Sequence, residues 1–87
     1  MRQEAEHFGE HELALVYVAR KLRDALRLED VLTKAGLDYY VEPDQFVSGT
    51  LLKRRRVGAF FYVPPEIEET VRRTMRESGF EPYAHAS

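Results

Sequence analysis

The segment Arg56–Val63, RVGAFFYV, alternates so that Val57, Ala59, Phe61 and Val63 fall on one side of an extended chain and Phe60 and Tyr62 on the other. Apolar residues on both sides predict a strand in the middle of a sheet. Pro64 and Pro65 stop it and open a helix, because proline needs no amide donor in a first helical turn. Leu13–Val18, LALVYV, is apolar at every position and short, which predicts a second strand buried on both faces. Between Arg20 and Ala35 the apolar positions Leu22, Ala25, Leu28, Leu32 and Ala35 recur at three- and four-residue steps and mark one stripe of a helix. Gly36 followed by Leu37 predicts a left-handed cap with an apolar contact back to the last turn. Leu37–Val41 reads as a strand ended by Pro43. Glu66–Ser78 reads as a second helix with Ile67, Val71, Thr74, Met75 and Ser78 inward, and Gly79-Phe80 repeats the cap. Glu81–Ala84 reads as a short edge strand interrupted by Pro82.

The two halves repeat a strand-helix-strand unit. With right-handed crossovers, the order β-α-β-β-α-(β) predicts an α+β, ferredoxin-like sandwich: an antiparallel sheet with two helices on one face and the first and third strands central. The helices are expected to cover Val16, Val18, Tyr39, Val41, Ala59, Phe61 and Val63. Alternation then leaves Leu13, Leu15, Tyr17, Tyr40, Phe60 and Tyr62 on the open face, an apolar patch at or beyond the size that a soluble monomer commonly exposes. Burial of that face by a second copy, or by the segment Glu42–Arg55 folding back with Phe46, Leu51 and Leu52, is the expectation.

Length allows one domain, residues 13–87, preceded by a polar tail, residues 1–12, read as flexible. The absence of cysteine removes disulfides, a thiolate nucleophile and cysteine-type zinc sites, and suits a reducing cytoplasm. No apolar run approaches spanning length, so no membrane partner is expected. A formal charge of −2 gives no global attraction to phosphate backbones.

Candidate chemistry is sparse. Lys53, Arg54, Arg55 and Arg56, with the Ser48-Gly49-Thr50 turn upstream, form a candidate loop for an anion or a partner; cations entering a strand alternate sides and do not all converge on one phosphate. His7 and His11 stand four apart among glutamates but lack rigid support, so no metal site is assigned. With no Cys, Asn or Trp and with all three histidines near the termini, no catalytic residues and no cofactor are assigned. Against acylphosphatase, a ferredoxin-like enzyme of this size, Ala19-Arg20-Lys21-Leu22 lacks the glycine-rich anion loop and the chain lacks its asparagine. The RNA-recognition motif supplies the alternative function. Val16-Tyr17-Val18 resembles its shorter signature, while the longer one is matched only at Arg56, Ala59 and Phe60, with Gly58 and Val63 where aromatics are expected.

LVYVAR, the helix ending AGLDYYVEP, a variable loop and VGAFFYVPPEIEETVRRTMRESGF together resemble the small bacterial proteins called putative signal-transducing proteins. The resemblance covers about Leu13–Phe80 and rests on the Ala35-Gly36-Leu37 and Val63-Pro64-Pro65-Glu66 corners. It implies a fold similar to that of the PII regulators, and a contact loop at Glu42–Arg56, since PII proteins reach partners through that connection. The PII nucleotide-binding glycine motifs are not evident. The expectation is a non-catalytic regulatory or protein-interaction module, self-associating through its open sheet face, with an unknown protein partner.

Overall fold

The computed structural model describes residues 1–9, 12–46 and 56–84. It is a small α+β protein with strands β1 (Ala14–Ala19), β2 (Tyr40–Phe46) and β3 (Arg56–Val63) and helices α1 (Leu22–Lys34) and α2 (Glu68–Glu77). The sheet order is β1-β3-β2, with both pairings antiparallel. The strand with two apolar sides is therefore the central one. Ala25, Leu28 and Leu32 of α1 and Val71 and Met75 of α2 close over Val16, Ala19, Tyr39, Val41, Phe61 and Val63, so both helices share one core on one face of the sheet. Each fully buried large apolar side chain there is worth roughly 1.5–3 kcal/mol.

Both predicted glycine caps form. Gly36 has φ of +73°; its N–H donates to the Thr33 carbonyl at 3.0 Å, and the Leu37 N–H donates to Leu32 at 3.0 Å. Gly79, φ +91°, repeats this, with the Phe80 N–H donating to the Met75 carbonyl at 2.8 Å. These bonds satisfy helix-end carbonyls and turn Leu37 and Phe80 back onto the core. A 3-10 turn, Pro65–Ile67, precedes α2 in place of the first turn of the expected helix.

Four expectations are corrected. β2 runs through Pro43 to Phe46 instead of ending there, because β2 is the last strand in the order β1-β3-β2, and an edge strand tolerates a proline without an amide donor. Leu22, assigned to the inner stripe of α1, is 75% exposed, and Ala35 is also exposed. Glu81–Ala84 is not a ladder strand: it contributes one backbone bond to β1, from the Tyr83 N–H to the Val16 carbonyl at 2.7 Å.

The fourth correction is a β-bulge in β1. Leu15 pairs with Tyr62 and Tyr17 with Phe61, so Val16 is the extra residue. One extra residue reverses the alternation beyond it. Tyr17, expected on the open face, packs on the helix side, edge-on to Phe61 (centroids 6.2 Å) and to Phe80 (5.5 Å). Val18, expected under the helices, pairs with Phe60 on the open side.

Within the stretch read as a tail, Arg2 pairs in parallel with Tyr39: the Tyr39 N–H donates to the Met1 carbonyl at 3.0 Å and the Gln3 N–H to the Tyr39 carbonyl at 2.7 Å. Phe8, in the 3-10 turn Ala5–Phe8, is buried. One buried aromatic in a polar segment leaves no periodicity to read.

Tyr39 is 1% exposed, stacked on Phe61 at 5.8 Å, with its hydroxyl bonded to Glu29 Oε1 at 3.0 Å and to Thr33 Oγ1 at 3.3 Å. Burial, above all, raises its pKa from the ordinary 10.0, and burial likewise raises that of Tyr17. A raised pKa means that the unfolded chain releases these protons first. Their contribution is complete below about pH 10 and is lost as pH rises through the folded-state values. Unfolding in denaturant at about pH 8 and about pH 11 is expected to show lower stability at the higher pH, and Tyr39→Phe is expected to reduce that difference. Equal pH sensitivity in the variant would contradict this assignment.

Candidate functional site

The open side of the sheet is built by β1, β3 and β2 in that order. Register places Leu15, Val18, Phe60, Tyr62 and Tyr40 on it, all half-buried, with Glu42 exposed at its margin. Tyr40 and Tyr62 stack with centroids 6.1 Å apart and rings 30° from parallel, a cross-strand aromatic pair. Phe60 and Val18 flank Gly58: a Cβ on that glycine would stand 3.5 Å from Phe60 Cε1 and 3.9 Å from Val18 Cγ1. These are ordinary van der Waals distances, so a side chain as small as that of alanine fits there beside the ring.

Of the six residues expected on this face, Leu15, Tyr40, Phe60 and Tyr62 are brought together, Tyr17 is turned into the core, and Leu13 is half-buried just before β1. Val18 takes the place of Tyr17. Among the described residues the large apolar side chains most open to solvent lie elsewhere, Leu22 and Leu26 of α1 among them. Ser48, Gly49, Thr50, Lys53, Arg54 and Arg55 lie outside the described residues; Arg56 opens β3, its backbone paired with Phe46. His11 also lies outside them, and among the described residues no cluster of His, Asp or Glu is arranged to hold a metal ion.

Arg72 follows Glu68 by four residues, the spacing of a supporting ion pair on one helix. Its side chain is 14% exposed. Nε donates to Glu68 Oε2 at 2.9 Å, Nη1 to the Tyr83 carbonyl at 2.6 Å and Nη2 to the Leu15 carbonyl at 3.2 Å. In a regular strand successive carbonyls point to opposite edges. At the bulge, Leu15 and Val16 both give their carbonyls to groups outside β3, namely Arg72 and the Tyr83 N–H. The guanidinium fork thus fastens residues 81–84 to the outer edge of β1.

Comparison with protein-family models, with curated proteins and with solved structures finds no match in any of the three. The surfaces themselves therefore carry the functional argument.

Proposed function

We propose that this chain is a non-catalytic regulatory or protein-interaction module of ferredoxin-like arrangement that self-associates through its open sheet face. The observation that carries the reading is the cluster Leu15, Val18, Phe60, Tyr62 and Tyr40 on a face over which neither α1 nor α2 packs. Burying apolar area against a second copy is the simplest way to remove such a face from water. The ferredoxin-like arrangement is supported by residues 81–84, which run beside β1 where a fourth strand would complete the order 4-1-3-2. The resemblance to small signal-transducing proteins supports a regulatory role, with the β2–β3 connection reaching the partner, and the lack of cysteine suits the cytoplasm. RNA binding, the alternative, is weakened because Tyr17 faces the core and is not beside Phe60 as a stacking platform.

Phe60→Lys combined with Tyr62→Lys is expected to convert the wild-type oligomer to monomer in light scattering, with the helical circular dichroism retained. An unchanged oligomer would overturn the assignment of this face. A wild type that is monomeric throughout a dilution series would overturn self-association itself.

A further inference from the structure

The outward side of α1 carries a second surface, on the opposite side of the molecule from the open sheet face. Two neighbouring rows of side chains spaced four apart, Leu22, Leu26 and Asp30 in one and Arg23, Arg27 and Val31 in the other, wall an open groove of about 560 Å³. Leu22 is 75% and Leu26 56% exposed, which is unusual for side chains that a helix normally turns inward. Arg20, Lys21 and Arg23 are exposed around them, and Arg27 is exposed with its guanidinium 4.8 Å over the Phe80 ring. The carboxylates farther along the helix are engaged: Asp30 with Lys34 at 3.0 Å, and Glu29 with Arg2 at 3.7 Å and with the Tyr39 hydroxyl at 3.0 Å. The half-buried Asp24 is the acid of the first turn, so the patch has a clear positive excess. Cations at a helix start oppose the helix dipole, so their own helix gains nothing from them there.

The occupant must offer both negative charge and an apolar interior. A second copy docking α1 against α1 would set two positive patches face to face, which is repulsive. Nucleic acid would use the cations through its phosphates but would leave the leucines with little to bury against. We infer that α1 docks in the plane of an anionic lipid bilayer, with Leu22 and Leu26 among the acyl chains and Arg20, Lys21, Arg23 and Arg27 among the headgroups. Among the described residues no helix is long and apolar enough to cross a membrane, and contact of this kind requires none.

The test is co-sedimentation of the full chain with phosphatidylserine-containing vesicles and with pure phosphatidylcholine vesicles, at low and high salt. The wild type is expected to partition onto the anionic vesicles, with salt sensitivity and with roughly tenfold or greater preference over the neutral ones. Leu22→Ser with Leu26→Ser, and separately Arg20→Glu with Arg23→Glu, are each expected to lower that partitioning by roughly tenfold or more without changing circular dichroism or solution mass. No partitioning of the wild type would overturn the inference. So would full binding by the leucine variant, which would mark a patch for any polyanion, RNA included. A fall in solution mass in the leucine variant would also overturn it, by placing a second copy on α1. The first two outcomes leave the sheet-face reading untouched; the third would move self-association to α1, and an unchanged oligomer in the Phe60 and Tyr62 variant would accompany it.

Discussion

Phe61→Ala is expected to lower the free energy of unfolding by about 3–5 kcal/mol, the largest loss from any single truncation in the sheet. Phe61 is fully buried in the central strand, stacked on Tyr39 at 5.8 Å and edge-on to Tyr17 at 6.2 Å, so its removal leaves a cavity with helices on one side and paired strands around it. A domain of this size has roughly 4–13 kcal/mol in total, so the variant approaches the limit of folding. Phe61→Leu keeps most of the volume and is expected to lose on the order of 1–2 kcal/mol, which keeps the measurement possible if the alanine variant does not fold. Its neighbour Phe60 is half-buried on the other side, and Phe60→Ala measured in dilute protein is expected to cost about 1 kcal/mol. Denaturant unfolding of the three variants checks the register directly. A Phe60 loss equal to or larger than that at Phe61 would mean that the two faces of β3 are reversed.

Arg72→Ala is expected to cost roughly 2–3 kcal/mol, since it removes charge-assisted bonds to two main-chain carbonyls and to Glu68 at a side chain only 14% exposed. Arg72→Lys is expected to recover little of this. A single ammonium cannot span the Leu15 and Tyr83 carbonyls and Glu68 together with the geometry of a planar fork. The accompanying readout is hydrogen exchange at the Tyr83 amide, which donates to Val16 and is expected to lose protection in both variants, while the amides of β3 keep theirs in Arg72→Lys. Full stability in the lysine variant, or unchanged exchange at Tyr83, would show that residues 81–84 are held by something other than Arg72.

The parts of the fold legible in the sequence are those with a strong period or special backbone chemistry. RVGAFFYV, bounded by Pro64 and Pro65, marked the central strand, and Gly36-Leu37 and Gly79-Phe80 marked both helix ends, because few residues other than glycine adopt positive φ at low cost. LALVYV marked its strand but concealed the bulge. When every position is apolar there is no alternation for an extra residue to interrupt, so the exchange of Tyr17 for Val18 on the open face left no trace. Pro43 read as a stop because proline removes a donor, but whether that donor is needed depends on which strand lies at the edge, and that is settled only by the assembled sheet.

The candidate surfaces were legible to different degrees. The open face was recovered at Leu15, Tyr40, Phe60 and Tyr62, whose register follows from simple alternation. On α1, Leu26 lay off the stripe formed by Ala25, Leu28 and Leu32, while Leu22 fitted the spacing of that stripe and was drawn into it. The available signal was the set of arginines and lysine around both leucines. The role of Arg72 had no local signature, because its partners Leu15 and Tyr83 are set by packing across the fold, 57 and 11 residues away.

The most direct measurement is the solution mass of the wild-type protein by light scattering across a dilution series, with absorbance at 260 and 280 nm recorded on the same peak. The account predicts an assembly of two or more copies with the absorbance ratio of protein alone, lost when Phe60 and Tyr62 are replaced by lysine. A protein that stays monomeric at every concentration, or one that elutes with nucleic acid, would contradict it.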